Sequence, residues 1–280
     1  MNNKTIAIIG TNGLPGKYGG WDQLVNNLTL KLGDDFNFIV YTGKTKESEK
    51  IQKFNNASLR YINLNPNGFQ SIFYDFISMV DAINKSNIYF VCGISGAIFF
   101  PFFRLLNKKI ILNPDGIEWK RKKFSVLAKI FLFISEIIGL LFSSKIISDN
   151  VKIQEYIKKR YNLKSDLIEY GGDHVMSNIN LSSEISKKYN IVKDNYAFKV
   201  CRIEPENNIQ LILSAFSNSN FILVIIGNWD NSLFGINLKS EYAKFENIII
   251  LDPIYDQNIL DQFRANCKIY IHGHSVGGTN

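Results

Sequence analysis

Short apolar runs rich in Ile, Val and Phe alternate along the chain with longer stretches whose apolar residues recur every three or four positions. The runs predict strands at Thr5–Gly10, Phe36–Tyr41, Leu59–Leu64, Ile88–Cys92, Lys109–Leu112, Lys145–Ser148 and Asp166–Tyr170. The patterns between them predict helices, notably Trp21–Leu32, Gln70–Asn84 and Val151–Tyr161. Near-continuous apolar strands separated by helices mean a parallel sheet covered on both faces, so residues 1–175 read as one doubly wound α/β domain.

The alternation breaks over residues 171–194, which begin Gly171-Gly172-Asp173 and read as a Ser- and Asn-rich linker with a short helix. It resumes at Tyr196–Cys201 and continues through Ile209–Phe216, Phe221–Ile226, Ile248–Leu251, Gln257–Asn266 and Lys268–His272. Residues 176–280 therefore form a second α/β domain of about four strands. It stops at Gly277-Gly278-Thr279-Asn280, a turn-like sequence that normally introduces a helix. The second domain is thus expected to be incomplete and the chain truncated.

The composition, 46% hydrophobic and 20% charged over 280 residues, excludes a disordered or collagenous chain. Three widely spaced cysteines give neither a disulfide framework nor metal-ligand spacing, which fits a reducing compartment. The N-terminal residues show no cleavage-site pattern.

Charge changes the picture more. Residues 1–175 hold 23 Lys and Arg against 15 Asp and Glu, whereas residues 176–280 hold 9 against 10. A basic first half beside a near-neutral second half predicts that one half meets an anionic partner. No zinc-finger, basic-zipper or RNA-recognition signature is present, so nucleic acid is not the expected partner. The densest basic run, Lys120-Arg-Lys-Lys123, leads straight into the apolar stretch Phe124–Phe142. Lys129 and Glu136 inside that stretch each cost about 3 kcal/mol at a bilayer centre, which disfavours a spanning helix. Two readings stay open: a helix packed on a sheet, or one lying at a membrane surface among anionic headgroups. The segment Phe99-Phe100-Pro101-Phe102-Phe103-Arg104, with Lys108 and Lys109, repeats the pairing of apolar and basic residues.

Candidate chemistry gathers at strand ends. The first loop, Gly10-Thr-Asn-Gly13-Leu-Pro15-Gly16-Lys-Tyr18-Gly19-Gly20-Trp21, lacks the G-x-G-x-x-G spacing of a dinucleotide site, which argues against NAD. Gly19 and Gly20 instead leave a helix N-terminus clear, so that backbone N–H groups can face an anion. Asp115 and Glu118 follow the fifth strand and can bond sugar hydroxyls or move protons; the plainer alternatives are an Asp-Gly turn and a first-turn glutamate. Asp149 ends the sixth strand, where it can equally cap the next helix. In the second domain Arg202 follows the first strand and suits a phosphate pair, or else a surface ion pair with Glu204 or Glu206. His272 and His274 lack a third ligand for a metal, and no Asp-x-Asp pair is present, so no metal is expected; Gly277-Gly278-Thr279 reads as an anion cradle.

Together the stretches Gly10–Trp21, Asn113–Arg121, Ser148–Tyr156, Tyr170–Asp173, Arg202–Asn208 and His272–Asn280 resemble the retaining glycosyltransferases of family 4, closest to the bacterial rhamnosyltransferases of capsular and cell-wall polysaccharides. The resemblance implies a GT-B fold, two facing Rossmann-like domains with parallel sheets. It implies a donor set of Gly19, Gly20, Arg202, Glu206, Asn207, His274, Ser275, Gly277, Gly278 and Thr279. Asp149, Tyr170, Asp115 and Glu118 would face the acceptor or the reacting sugar carbon. Many relatives carry lysine where this chain has Asn207, which leaves Arg202 as one fixed cation for the leaving group. The activity implied is metal-independent transfer of a sugar, with retention, from a nucleoside diphosphate sugar such as dTDP-rhamnose to a lipid-linked saccharide. The implied place is the cytoplasm, peripheral on the inner face of the plasma membrane, against its anionic surface. The alternative is a truncated, non-catalytic chain or a binding module.

Overall fold

The computed structural model describes residues 4–16, 19–121, 124–172, 175–176 and 178–274. The chain divides into two compact units, one reaching to Tyr170 and the other beginning at Gly171. In chain order the first unit contains β1 (Lys4–Ile9), α1 (Gly20–Lys31), β2 (Phe36–Thr42), β3 (Lys53–Phe54), β4 (Ala57–Tyr61), α2 (Gln70–Asp81) and β5 (Ile88–Cys92). It continues with α3 (Phe100–Leu105), β6 (Lys109–Asn113), α4 (Val126–Phe142), β7 (Lys145–Ser148), α5 (Val151–Tyr161) and β8 (Asp166–Leu167). The second unit contains α6 (Ser183–Tyr189), β9 (Tyr196–Val200), α7 (Ile209–Ser217), β10 (Ile222–Ile226), α8 (Leu233–Tyr242), β11 (Ile248–Leu251), α9 (Gln257–Asn266) and β12 (Ile269–Tyr270).

The first sheet runs β3-β4-β2-β1-β5-β6-β7-β8 and is parallel except for the β3–β4 pair. One face packs Tyr74, Phe100, Phe103, Leu140, Ile153 and Ile157 from α2, α3, α4 and α5. The other is covered by Val25, Leu24 and Leu28 of α1. The second sheet runs β11-β10-β9-β12, all parallel, with α7 and α8 on one face and α6 and α9 on the other. Burial on both faces is what makes these strands read as unbroken apolar runs.

Three strands differ from expectation, the one expected at Lys268–His272 being only Ile269–Tyr270. The strand expected at Leu59–Leu64 pairs only over Ala57–Tyr61, because Leu64 N–H turns back to the Ile62 carbonyl (2.8 Å) just before Pro66. The strand expected at Asp166–Tyr170 is two residues long, leaving Tyr170 beyond its end. The apolar stretch near 124–142 is a 17-residue helix, α4, which buries Ser135, Glu136, Gly139 and Leu140 and leaves Val126, Leu127, Ile130 and Ile134 in solvent. Among the described residues no helix is long and apolar enough to cross a membrane.

Candidate functional site

In the first sheet β1 and β5 are neighbours, yet the chain leaves them in opposite directions, β1 towards β2 and β5 towards β6. The carboxyl ends of such a pair are where ligands of doubly wound sheets bind. The loop after β1 shows which of its glycines the fold itself requires. Gly10 (φ +89°) would place a Cβ 2.0 Å from the Cys92 carbonyl oxygen, and Gly13 (φ +98°) would place one 2.2 Å from Thr42 Oγ1. At Gly16 a Cβ would lie 2.7 Å from the Asp22 carbonyl. Gly19 and Gly20 are different. Gly19 is extended (φ −161°), a conformation open to any residue, and a Cβ at either position meets nothing within 4 Å. α1 starts there without a side-chain cap, and its Asp22 is buried, accepting the Asn12 N–H at 3.0 Å. The Trp21 ring closes over Gly93, where a Cβ would come within 2.9 Å of it.

Asp115, Asp149 and Tyr170 converge on the same edge. Asp149, 1% exposed at the end of β7, accepts a hydrogen bond from Asn150 Nδ2 (2.8 Å). Asn150 in turn caps α5 by accepting the Ile153 N–H (3.0 Å), so the capping role open to Asp149 belongs to its neighbour. Asp115 has φ +64°, and its N–H bonds Asn113 Oδ1 (3.1 Å). Burial pushes the Tyr170 hydroxyl well above its ordinary pKa, helped by Cys92, Asp115 and Asp149, while a hydrogen bond with Asn113 works the other way. Burial likewise drives the Cys92 thiol up, reinforced by Asp22, Asp115 and Asp75, so it stays protonated and is no nucleophile at neutral pH. The carboxyl edge is therefore acidic although the first unit is basic overall. The positive charge foreseen from composition lies elsewhere, for example at Lys158, Lys159 and Arg160 in the last turn of α5.

Glu118 is engaged outside this cluster: it forms an ion pair with Arg121 (2.9 Å) in a 3-10 turn. Beside it, buried Glu136 of α4 accepts from Tyr156 Oη (2.6 Å), Tyr161 Oη and Trp119 Nε1 (3.4 Å). Arg160 lies over the Trp119 and Phe133 rings at 5.3 and 5.0 Å. This network pins the segment after β6 against α4 and α5. The sequence had shown Glu136 only as a charge in an apolar stretch.

In the second unit β9 and β12 are neighbours, and the loops that follow them are tied together. Asn207 Nδ2 donates to the Arg202 carbonyl (2.6 Å) and Asn208 Nδ2 to the Gly273 carbonyl (2.7 Å), with Asn208 at φ +51°. Arg202 is exposed at the carboxyl edge, Glu206 is half-buried and Asn207 is buried. The His272 and His274 rings lie 4.7 Å apart. Burial lowers the His274 pKa to about 4, with Lys199, His272 and Arg202 adding to the effect, so its imidazole is neutral at pH 7. Lys199 was not foreseen; its one signal is a lysine inside the otherwise apolar strand Tyr196–Val200. Ser275, Gly277, Gly278 and Thr279 lie outside the described residues. Among the described residues no three His, Cys, Asp or Glu side chains group as metal ligands.

Both units together resemble solved structures across nearly the whole chain. Sucrose-phosphate synthase from Thermosynechococcus elongatus matches with a TM-score of 0.81 at 14% identity, covering 99% of this chain and 77% of that one. The Anabaena protein HepE in complex with UDP and glucose matches at 0.69 and 11%, covering 97% and 74%. UDP-N-acetylglucosamine 2-epimerase from Rickettsia bellii matches at 0.64 and 14%, covering 96% and 73%. At such identities the likeness is one of fold, a GT-B-like pair of Rossmann-like domains. No curated protein matches the sequence. The profile described as "Domain of unknown function (DUF1972)" covers residues 3–173, more than half of the chain, and the protein belongs to that family.

Proposed function

We propose that this protein is a glycosyltransferase that takes its sugar from a nucleoside diphosphate sugar. The observation that carries this reading is the open start of α1: Gly19 and Gly20 are glycines that neither backbone conformation nor packing requires, and the space they leave faces an uncapped helix N-terminus. HepE, of similar fold, holds UDP and glucose. In this reading the N–H groups of α1 approach the donor, and Arg202, Glu206, Asn207 and His274 belong to its diphosphate and sugar site, which continues into Ser275, Gly277, Gly278 and Thr279. Negative charge grows on the departing diphosphate and is stabilised by fixed N–H groups and the Arg202 guanidinium. Positive charge grows on the sugar carbon, as in glycoside hydrolysis, and the acidic edge of Asp115 and Asp149 suits it. Asp149 and Tyr170 then orient the acceptor hydroxyl. The acceptor oxygen bonds the sugar carbon on the face from which the diphosphate departs, and that phosphate takes the acceptor's proton, so configuration is retained without an enzymatic nucleophile.

The acceptor proposed is a lipid-linked saccharide, with dTDP-rhamnose as donor and the cytoplasmic leaflet as the working place. Support comes from α2, α3 and α4, which lie on one face of the sheet and expose Phe69, Phe73, Phe102, Leu105, Leu127 and Ile130. The carboxylates of those helices are turned away: Asp75 and Glu136 are buried, and Asp81 is paired with Arg60 and Lys85. Such a face suits an anionic bilayer surface. A thermal-shift panel of nucleotide sugars followed by a transfer assay with lipid-linked acceptors tests the proposal. Stabilisation by one donor and a new glycosidic product is the expected result. Recovery of an epimerised nucleotide sugar and no transfer, the outcome suited to the epimerase of similar fold, refutes it.

A further inference from the structure

Lys199 lies mid-strand in β9, opposite Ile225 of β10, and is 0% exposed. Its ammonium has one hydrogen bond, a long one of 3.4 Å to the Ile271 carbonyl. A buried ammonium is costly unless a negative group compensates it. Among the described residues no carboxylate acts on Lys199: burial lowers its pKa, and only the nearby Cys201 opposes that. Cys201 is itself no counter-ion, because burial raises its thiol to about 11. The basic groups near the same place are Arg202, His272 and His274, all of which would repel an ammonium when charged. A second buried group there is also incomplete, since His274 Nδ1 has no hydrogen-bond partner among the described residues. Asn207 does not fill the gap; its amide is used to brace the Arg202 carbonyl. Between two loops tied to each other, Lys199 and His274 are thus two buried polar groups whose hydrogen bonding the described residues leave incomplete.

We propose that Lys199 is an anion-binding determinant of the second unit, a buried cation that acts with Arg202 on a diphosphate seated at the carboxyl edge of β9 and β12. The identity of the anion rests on the donor reading above; the seat itself does not. A cation already stripped of water and fixed by its strand needs no reorganisation when the anion arrives, and it is poorly screened by salt. The charge deficit left by an asparagine at 207 is then made up from inside the sheet rather than from the loop.

The test is calorimetric titration of inorganic pyrophosphate and of UDP into the 280-residue chain and its Lys199→Met variant, with the ligand-free Tm of each. Methionine keeps the length of the side chain and removes the charge. We expect Lys199→Met to weaken pyrophosphate binding by about ten-fold or more, and Lys199→Arg to stay within a few-fold of wild type. The ligand-free Tm of Lys199→Met should equal or exceed that of wild type, because an uncompensated buried charge has gone. A variant that binds pyrophosphate as wild type does, or whose ligand-free Tm falls by several degrees, overturns the proposal and makes Lys199 a structural partner of Ile271. If wild type binds UDP and the variant binds it equally well, only this inference fails. If wild type binds neither pyrophosphate nor UDP nor any nucleotide sugar, the donor reading fails with it.

Discussion

Asp75 offers the sharpest quantitative test of the structure. It sits in α2 with 2% of its surface exposed; one carboxyl oxygen receives the Gly96 N–H, and the other, Oδ1, is buried without a partner among the described residues. Burial raises its pKa from 3.8 to about 8. The folded state therefore keeps a proton that the unfolded chain has lost between about pH 4 and pH 8. Stability contributed by this group is complete below pH 4, falls as pH rises through that window, and is flat above it. At pH 7 the shift is worth about 1.4 kcal/mol for each of roughly three pH units, or about 4 kcal/mol. Asn is neutral throughout, and its amide oxygen can still accept the Gly96 N–H. Its amide nitrogen would stand where Oδ1 is now unpartnered, a loss of about 1–3 kcal/mol. Asp75→Asn should thus gain about 1–3 kcal/mol at pH 7 and gain nothing near pH 4.5, where the titration contributes only about 1 kcal/mol. For a unit of this size that is about 2–10 °C in Tm. Thermal unfolding of both proteins from pH 4.5 to 8.5 measures it. Two parallel Tm curves would mean that Asp75 is ionised in the fold or is hydrated, and the assigned environment would be wrong.

Three further outcomes follow from the same geometry. Gly20→Leu should leave Tm within about 1–2 °C of wild type, because its side chain enters empty space, yet it should lower sugar-nucleotide turnover by about 100-fold by covering the start of α1; unimpaired turnover with a donor already shown to bind would remove Gly20 from the site. Glu136→Ala removes the acceptor of the Trp119 indole N–H and leaves the Tyr156 and Tyr161 hydroxyls only each other (3.3 Å), around a void. It should cost about 3 kcal/mol or more in chemical denaturation, and a loss below about 1 kcal/mol would show that the network is loosely held. Leu127→Glu with Ile130→Glu on the exposed face of α4 should abolish co-sedimentation with anionic phospholipid vesicles, which wild type should show most strongly at low salt. Equal binding by both proteins would place any membrane contact elsewhere.

How far the sequence anticipated this structure depends on how local each signal is. Strands buried on both faces announce themselves as apolar runs, and the strand ends in turn pointed to Asp115 and Asp149, whereas Tyr170 came from the family resemblance and lies beyond the end of β8. α8 went unread because its apolar residues do not form one stripe: Leu233 is 77% exposed while Leu238 and Tyr242 are buried, and Gly235 packs against the Trp229 carbonyl. The acidic edge was hidden for a different reason. Asp22, Asp115 and Asp149 are far apart in the chain and meet only through the order of the strands, inside a half whose net charge is positive. Lys199 was masked by its own strand, since a lone lysine among Tyr, Ala, Phe and Val ordinarily marks the solvent side of an edge.

The residues that folding leaves unexplained are more informative about function than those it explains. Gly10, Gly13 and Gly16 are accounted for by left-handed backbone or by atoms that a Cβ would strike, and Asn207 by the carbonyl it braces. The same test fails at Gly19 and Gly20 in the first unit and at Lys199 in the second. Among the described residues no atom lies within 4 Å of a Cβ built at either glycine, and no carboxylate acts on the lysine. Room beside backbone N–H groups and an uncompensated cation are different deficits, yet a phosphate group answers each of them. A pyrophosphate is common to NAD and to the sugar nucleotide proposed above, and the preference for the latter rests on the first loop, which lacks the glycine spacing of the NAD fingerprint.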